Sequence, residues 1–506
     1  MSPADDPAAW PAFERLQEQP VEAARQSPGQ ASRQADGLFL FHDACVLGTR
    51  LNLAVQADVQ SQAYAAACAV RAEIDRLDGV FNWRRDDSEI SHLNRADRFA
   101  ASPDLFSVME FAERWRVISG GALSARLGAL GERWRMPEPP SHAQMASLAK
   151  AIASEEVGLD PVRRLIARPD RVLFDLDAIA KGYIVDRALE AAMGVAGVSG
   201  AMVDIGGDIA CAGPGPSAGA WRIDAPDPLR VFDNAPLAFS FYLHEAAVAT
   251  SGCGPRDVDA EGRVRSVTLD PRTGSPLAHR RSVTAIAPSA MEADALATAV
   301  LVMEPGEAQA MLARLPGRSA RIAAPDTRVW LGSPALRAIE YEPSPQAGGG
   351  TDPLWKQGWY ADITFSAPPK DMRRDIAFRS PYVAIWISDT ADRPVRTLLL
   401  IGRYKEWHES NHIWWRLNRG KVDNLFSGRS MSTRGSGIYK VYWDGGDDQG
   451  RLVAPGTYRL HVETSREGGG HEHRVVELDV SRPRAFEAEL PVTARSGGLF
   501  VSFRKF

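Results

Sequence analysis

Asp294 and Thr298 are the residues whose types and spacing suggest chemistry most directly. They lie four residues apart in E-A-D-A-L-A-T-A-V, residues 292–300, an apolar run typical of a helix. Residues four apart share one helical face, so the carboxylate and the hydroxyl point the same way. Such a pair suits a hard cation such as Mg²⁺, which needs few protein oxygens when phosphates supply others. The alternative to a metal site is a purely structural role, in which the aspartate is stabilised by the dipole at the helix N-terminus and the threonine is half-buried.

A series of short motifs surrounds this pair and gives it a context. They are L-G-T-R-L-N-L at 47–53, D-D-S-E-I-S-H-L-N at 86–94, D-L-D-A-I-A-K-G-Y-I-V-D at 175–186, V-D-I-G-G-D-I at 203–209, A-T-S-G at 249–252, L-D-P-R-T-G-S-P-L at 269–277 and V-T-A-I-A-P-S-A-M-E-A-D-A-L-A-T at 283–298. In this order they resemble the flavin transferases of the ApbE family, over roughly residues 37–335. That family moves FMN from FAD onto a Thr of an acceptor protein. The resemblance implies an Mg²⁺-dependent transfer that releases AMP, with FAD as substrate and an acceptor flavoprotein as partner.

The resemblance also implies roles for individual residues. The metal would be held by Asp294, Thr298 and the backbone carbonyl of Ala178, where any side chain is acceptable. Lys181 would contact FAD, Asp175 would bind its nucleotide part, and Trp83 would stack on the isoalloxazine or the adenine ring. The residues expected to bind the cofactor are Leu47, Trp83, Ala122, Leu123, Ser124, Asp175, Lys181 and Leu269.

Each motif also has a structural interpretation. A lysine early in a helix is usually solvated, an aspartate after a strand usually caps the next helix, and Trp83 would serve as a core residue. Gly206 and Gly207 follow a predicted strand, where they would let backbone N–H groups approach a phosphate or would simply form a tight turn. Residues 250–252 would donate hydrogen bonds to the flavin or form an ordinary turn.

Two departures from the family pattern concern the FAD site. Leu47 stands where the family has Met, a volume-conserving exchange. The segment G-A-L-S-A-R-L-G places Ser124 and Arg126 where the family has Asp and Thr. The backbone contacts of residues 122–124 would survive this change. Arg126 would add positive charge near the phosphates or point to solvent.

The third departure concerns catalysis. Val267 occupies the position of the His that the family uses as its presumed general base, and a valine cannot take a proton. His244 and His279 are other candidates, but nothing in the sequence places them near the site. The catalytic residue is therefore left unassigned. Two alternatives stay open: an FAD-binding carrier or scaffold without transferase activity, and an Mg²⁺-dependent FAD pyrophosphatase in which water replaces the acceptor Thr.

The elements that must position these residues belong to two kinds of fold. Residues 37–55 indicate a strand pair, 171–176 and 201–205 indicate strands, and helices are predicted at 58–79, after Pro103 and from about 178 to 193. This mixture indicates an α+β protein with a mixed α/β body. From residue 355 onward, short strands separated by turn residues indicate an all-β immunoglobulin-like sandwich. That segment resembles an uncharacterised bacterial domain, predicted to be exported.

The chain is thus expected to divide into four parts. Residues 1–36 form a flexible N-terminal segment, 37–340 an FAD-binding flavin-transferase domain, 341–354 a Gly/Pro-rich linker and 355–506 a β-sandwich domain of unknown function. The group Trp407, Trp414 and Trp415 is expected in the sandwich core, or on a binding face.

Composition excludes several classes of protein. The chain has 506 residues and a net charge of −5, so no general attraction to nucleic acid is expected. Its four cysteines are widely spaced and indicate neither a disulfide framework nor a zinc site. The longest apolar run is too short to span a bilayer. Without a signal peptide, the sequence as written indicates the cytoplasm, whereas a different true start would allow the periplasmic or membrane-associated location usual in the family.

Overall fold

A computed structural model describes most of the chain. The described residues are 32–33, 37–138, 140–226, 232, 234–235, 237–252, 266, 268–324, 327–332, 338–340, 353–366, 382–401, 411–418, 428–429, 438–449, 451–465, 470–493 and 498–505. Val267, Trp407, residues 1–31 and residues 341–352 of the predicted linker lie outside them.

The first body contains helices and strands in alternation. Its helices are α1 (Gln60–Phe81), α2 (Glu89–Arg95), α3 (Pro103–Ile118), α4 (Gly128–Trp134), α5 (His142–Ser154), α6 (Ala180–Met193), α7 (Ala290–Val302) and α8 (Pro305–Leu312). Its strands are β1 (Ser32–Arg33), β2 (Leu38–Val46), β3 (Thr49–Ala57), β4 (Arg98–Ala100), β5 (Gly158–Asp160), β6 (Leu165–Ala167), β7 (Val198–Ile205), β8 (Asp208–Ala212), β9 (Trp221–Pro226), β10 (Leu237–Leu243), β11 (Ala246–Gly252), β12 (Leu269–Asp270), β13 (Ser275–Pro276), β14 (Ser282–Ala287), β15 (Ser319–Ala324), β16 (Thr327–Gly332) and β17 (Ala338–Glu340).

The main sheet is the middle of three layers. Within the described residues it has nine strands in the order β1-β2-β3-β7-β8-β11-β14-β15-β16, and its neighbouring strands run antiparallel. Side chains alternate between its two faces, as strand geometry requires. In β3, Leu53 and Val55 join the core beneath the helices, while Ala54 joins the core shared with β9 and β10 on the other face. The prediction of an α+β fold is confirmed.

The predicted helices form with small shifts of their ends. The helix predicted at 58–79 is α1, and the one after Pro103 is α3, whose N-cap Ser102 accepts a hydrogen bond from the Leu105 N–H at 3.2 Å. The apolar run around Asp294 is α7, which is buried almost all round because it packs between the main sheet and α6.

The strand predicted at residues 171–176 is wrong. This segment is extended but pairs with no strand in the described structure. Its backbone groups are satisfied elsewhere: the Asn94 side chain accepts from the Phe174 N–H at 2.8 Å and donates to the Phe174 carbonyl at 2.9 Å. The Gly128 N–H donates to the Leu173 carbonyl at 3.0 Å. An apolar run with a satisfied backbone can thus be buried without joining a sheet.

The second body is the predicted β-sandwich. Its elements are α9 (Pro353–Lys356), β18 (Trp359–Ser366), β19 (Tyr382–Asp389), β20 (Pro394–Ile401), α10 (His412–Asn418), β21 (Gly428–Arg429), β22 (Ile438–Trp443), β23 (Thr457–Ser465), β24 (His471–Asp479), β25 (Phe486–Leu490) and β26 (Leu499–Lys505). Sheets β22-β18-β26-β25 and β20-β19-β23-β24 enclose one apolar core. Leu354 is buried in that core, so the last residues of the predicted linker pack with the sandwich.

The two bodies contact one another. β21 pairs in parallel with β9, matching Gly428 with Ile223. The Asn234 amide donates to the Tyr442 carbonyl at 2.7 Å and accepts from the Tyr442 N–H at 3.0 Å. Phe232 packs against Tyr442 with ring centroids 4.9 Å apart. Helices long and apolar enough to cross a membrane do not occur among the described residues.

Candidate active site

Two helices cross at their N-termini and fix the frame of the site. A Cβ at Gly182 in α6 would overlap the Ala290 carbonyl, so only glycine allows this approach. Asp186 fastens the crossing, since its carboxylate accepts from the N–H groups of Ala290 at 2.7 Å and Met291 at 2.9 Å. Burial raises the pKa of Asp186 to about 6, although these two hydrogen bonds oppose the shift. Residues early in α6 and in the first half of α7 are therefore held side by side.

Lys181 lies in a buried group of carboxylates at this crossing. Its Nζ is 2.8 Å from Oδ2 of Asp208, which follows the β7–β8 turn. Asp294 receives the Gly182 N–H at 3.3 Å. Burial and the nearby charge of Asp208 raise the pKa of Asp294 well above its usual value. For Lys181, burial lowers the pKa, but the carboxylates of Asp208, Asp294 and Asp204 outweigh that effect and raise it, so the ammonium is retained.

Two hairpin tips lie beside this group. Gly206 and Gly207 join β7 to β8 with φ of 62° and 99°, the left-handed pair that a two-residue hairpin requires. The turn interpretation of this glycine pair is thus the one observed. Leu47, with φ of 50°, begins the equivalent turn between β2 and β3, a conformation rare for a bulky residue. The tips are adjacent because the Gly206 N–H donates to the Arg50 carbonyl at 3.0 Å.

One hydroxyl group of β11, that of Ser251, faces the helix that carries the proposed metal ligands, whereas Thr250 and Thr284 lie on the other face of the sheet. The Ser251 and Thr298 hydroxyl oxygens are 3.0 Å apart, and those of Thr250 and Thr284 are 2.9 Å apart. Residues 250–252 lie in strand β11, so the interpretation of this segment as an ordinary turn is wrong. Thr298 is held on the face of α7 that bears Asp294, one turn further along.

Trp83 lies at the other side of the α6 N-terminus. Its indole N–H points to Oδ2 of Asp177 at 3.4 Å, and the guanidinium groups of Arg84 and Arg135 lie 4.3 and 4.7 Å from its ring centre. Asp175 accepts the Asp177 N–H at 3.0 Å. Burial, followed by the charge of Asp177, raises the pKa of Asp175 to about 7. Trp83 is half-buried beside these polar groups.

The segment containing Ala122, Leu123 and Ser124 runs next to Asp175. All three residues are buried, and the Asp175 N–H donates to the Ala125 carbonyl at 2.8 Å. The expectation that Arg126 points to solvent is wrong. Its side chain is 3% exposed and binds Glu113 through two hydrogen bonds of 2.8 and 2.7 Å, and it also donates to the Glu155 carbonyl.

Leu269 and Ala178 are the last two residues that the sequence predicts to bind FAD or the metal. Leu269 is half-buried in β12, which the turn at residues 270–274 connects to β13. Within that turn the Asp270 carboxylate accepts the Arg272 N–H at 2.9 Å. Ala178 lies in the turn that precedes α6, between Asp177 and the buried Ile179.

The two histidines left open by the sequence are both remote from the carboxylates. His279 lies beside Leu301, which is seven residues or roughly 10 Å along α7 from Asp294. Burial and the charge of Arg281 lower the pKa of His279. His244 is exposed in the turn before β11, seven residues or roughly 23 Å from Ser251 at the other end of the strand.

The donor set fits a hard divalent cation. Asp294 supplies a carboxylate oxygen and Thr298 a hydroxyl oxygen, the ligand types that Mg²⁺ prefers. Asp294, Asp208 and Asp204 are each at most 4% exposed, and the Lys181 ammonium is paired with Asp208. Burial and then the negative charge of Asp208 raise the pKa of Asp294, and a bound cation would oppose both effects.

Sequence reasoning missed three acidic residues of the site: Asp177, Asp204 and Asp208. Asp204 accepts from the Gly207 N–H at 2.9 Å and from the Asn52 amide at 2.8 Å, and so braces the hairpin tip. A signal was present, because V-D-I-G-G-D-I places two carboxylates in a run otherwise apolar enough to be buried. Carboxylates are almost never fully buried without a partner.

Comparison with known proteins shows the family of the chain. Residues 47–322 match a family described as the ApbE family, and residues 369–496 match one described as a predicted periplasmic protein (DUF2271). An FAD:protein FMN transferase from Treponema pallidum is 31% identical over 294 residues, covering 53% of this chain and 80% of that protein. One from Klebsiella pneumoniae is 27% identical over 280 residues, covering 53% and 79%.

Solved structures show the same fold for the first body. An ApbE protein from Thermotoga maritima superimposes with a TM-score of 0.51 at 26% identity, covering 59% of this chain and 97% of that one. A flavin transferase ApbE from Vibrio cholerae gives a TM-score of 0.50 at 22% identity, covering 62% and 98%. Because the family match spans more than half of the chain, the protein belongs to the ApbE family.

Proposed function

We propose that this protein transfers the FMN part of FAD to a threonine of an acceptor protein, in an Mg²⁺-dependent reaction that releases AMP. The observation that carries the proposal is the buried group formed by Lys181, Asp208 and Asp294 at the crossing of α6 and α7. A retained ammonium beside oxygen ligands for a divalent cation is what a pyrophosphate substrate needs. The FAD:protein FMN transferases named above support the same reaction.

The reaction exchanges one phosphorus–oxygen bond for another. The acceptor hydroxyl oxygen bonds to the phosphorus on the FMN side of the pyrophosphate, and the bond from that phosphorus to the bridging oxygen breaks. AMP leaves with the bridging oxygen, and the hydroxyl proton passes to a base. Positioning and charge stabilisation dominate such transfers.

Individual groups have clear tasks in this scheme. The Lys181 ammonium would bind a pyrophosphate oxygen, and Trp83 would stack its indole ring on the flavin or the adenine. The first N–H groups of α6 add positive partial charge at the same place. Asp294, Thr298 and the Ala178 carbonyl would hold Mg²⁺, which when bound neutralises charge on the departing phosphate.

Val267 favours a second candidate function. With a valine at the position of the family's histidine, no side chain there can take the acceptor proton. Hydrolysis by water needs no acceptor protein. An Mg²⁺-dependent FAD pyrophosphatase would still use the other groups of the site to bind FAD and the metal. An FAD carrier would use the binding groups alone.

One experiment separates these functions. The full chain is incubated with FAD and Mg²⁺, with and without an acceptor domain carrying Ser/Thr-Gly-Ala-Thr, and the products are analysed by mass spectrometry and chromatography. Transfer predicts FMN on the acceptor threonine and an equal amount of AMP, both abolished by EDTA and restored by Mg²⁺. An acceptor with that Thr→Val substitution is the control. Free FMN and AMP without acceptor would identify the hydrolase, and intact bound FAD the carrier.

The location of the protein is part of the proposal. The description of the second matched family as a predicted periplasmic protein supports the periplasmic alternative over the cytoplasmic one. Fractionation of cells that express the gene from its native start should find the protein with periplasmic markers. Recovery with cytoplasmic markers would refute this location.

A further inference from the structure

The outer face of one sandwich sheet carries a polar cluster that the proposed reaction does not use. Strands β23 and β24 pair so that Glu463 lies opposite His473, and Ser465 lies opposite His471. Their side chains point away from the sandwich core, beneath the short helix α10, whose first residue is His412. One hairpin and a helix about 50 residues before it therefore bring two imidazoles and a carboxylate together.

Glu463 is the fixed centre of this cluster. It is fully buried, and its Oε1 accepts from the Ile413 N–H at 3.0 Å while Oε2 accepts from the Trp414 N–H at 2.7 Å. Both carboxylate oxygens are thus oriented by backbone groups that cannot rotate away. Each oxygen keeps a second lone pair for another partner.

The two histidines approach Glu463 from the solvent side. Nε2 of His471 is 2.6 Å from Oε1 of Glu463, and the rings of His412 and His471 stack with centroids 4.0 Å apart. One ligand atom from each of the three residues lies within 4.8 Å of the other two. His412 is exposed, so its ring has room to turn toward a shared ion.

We propose that His412, Glu463 and His471 bind a divalent transition-metal ion, of which Zn²⁺ is the best match. Two histidines and one carboxylate with an open fourth position are a known zinc ligand set. Imidazole nitrogen selects ions such as Zn²⁺ over Mg²⁺, so this site differs in chemistry from the oxygen site of the first body. The ion would replace the proton shared by His471 and Glu463 and would fasten α10 to the β23–β24 hairpin.

The backbone hydrogen bonds to Glu463 act as the supporting shell that metal sites require. Such partners orient a ligand before the ion arrives, and their loss typically weakens metal binding by 10–100-fold. Loss of a ligand itself should weaken binding by at least about 100-fold.

Calorimetric titration with Zn²⁺ tests the site in the full chain. The titrated protein carries Asp294→Asn and the buffer contains excess Mg²⁺, so that the oxygen site of the first body does not contribute. We expect one Zn²⁺ per chain, and an affinity at least about 100-fold lower when His412→Asn is added. His244→Asn, which removes an exposed histidine of the first body, is the matched control and should leave the affinity unchanged.

Three outcomes would overturn the proposal. One is the lack of stoichiometric Zn²⁺ binding by the Asp294→Asn chain, and another is equal affinity in the His412→Asn and His244→Asn variants. The third concerns His471→Gln, whose fold is checked by circular dichroism: a folded variant that still binds one Zn²⁺ at full affinity would leave Glu463 and His471 as a simple ion pair.

Discussion

Asp294 carries an electrostatic cost that a cation in the site would remove. Its carboxylate is buried near a second carboxylate, Asp208, and one ammonium is shared among them. Burial of unbalanced charge opposes folding, whereas binding to the folded state alone favours it. The metal site can therefore be tested through stability, without any turnover.

Asp294→Asn should separate these two effects. Without Mg²⁺ the variant should be at least as heat-stable as the native protein, because a buried negative charge is gone. With Mg²⁺ the melting temperature of the native protein should rise, and that of the variant should not. Differential scanning fluorimetry with and without EDTA measures both. Equal Mg²⁺-dependent shifts in the two proteins would show that Asp294 is not a ligand.

Arg126 shows where residue-level prediction fails. The candidate roles of Asp294, Thr298 and Lys181 could be predicted from the sequence, because the spacing of residues along one helix decides which side chains share a face. The partner of Arg126 is Glu113, which lies in helix α3 and 13 residues earlier in the chain, so no local pattern reveals the pair. The contact of Asp208 with Lys181 was likewise not predictable, since it joins a strand to a helix, although the V-D-I-G-G-D-I run already signalled a buried carboxylate.

Arg126→Met should therefore reduce stability and leave FAD binding unchanged. Glu113 would lose the partner that satisfies both of its oxygens, at a cost of about 3 kcal/mol in the free energy of unfolding. Arg116→Met removes the more exposed partner of the same carboxylate and should cost under about 1 kcal/mol. Urea unfolding and flavin fluorescence quenching measure the two quantities. A weakened FAD affinity in folded Arg126→Met would contradict this assignment.

At the scale of elements, the crossing of α6 and α7 determines the geometry of the site. Gly182→Ala should push the two helices apart. The substitution should both lower the free energy of unfolding by about 1–3 kcal/mol and weaken FAD binding. Gly79→Ala is the matched control, because a methyl group there meets nothing within 4 Å in the helix α1. That substitution should stabilise the protein by about 0.5–1 kcal/mol. Unchanged stability of Gly182→Ala would mean that the crossing is loose.

Asp186 gives this crossing a pH dependence. Its pKa is raised to about 6, so between about pH 4 and 6 the folded protein holds a proton that the unfolded chain has lost. The free energy of unfolding should therefore fall as the pH rises through this range, by up to roughly 3 kcal/mol. Asp186→Asn should flatten the profile measured by urea unfolding, and the exposed control Asp170→Asn should not. An identical slope in native protein and Asp186→Asn would exclude this cause.

Several helices of the first body and the strands of the sandwich could be predicted because their patterns are local. The alternation of apolar and polar residues from residue 355 onward predicted the sandwich strands. β25 was missed because its outward residues are charged and it has few inward apolar residues. The prediction of a strand at residues 171–176 was wrong because the side chain of Asn94, which is far away in sequence, forms the backbone hydrogen bonds that a neighbouring strand would form. Backbone partners of this kind have no signature in the segment itself.

At the scale of the whole molecule, Asn234 fastens the two bodies. Its amide forms both hydrogen bonds with the Tyr442 backbone, beside the packed rings of Phe232 and Tyr360. Asn234→Ala should lower the free energy of unfolding by about 1–2 kcal/mol and speed limited proteolysis in residues 341–352. Flavin should stay with the N-terminal fragment. Cleavage at the native rate would show that the contact does not hold the bodies together.

The pairing of β21 with β9 has a consequence for how the chain can be divided. Without β21, β9 would be the edge strand of its sheet, with unpaired backbone donors and acceptors. β22 is the edge strand of its own sheet, and its outer side binds the Asn234 side chain. Open rows of this kind invite pairing with other chains, and proteins usually shield them. Each body therefore shields the other from aggregation. A fragment cut at the predicted linker would keep its core but expose the edge of β9 that β21 covers at Ile223 and Asp224.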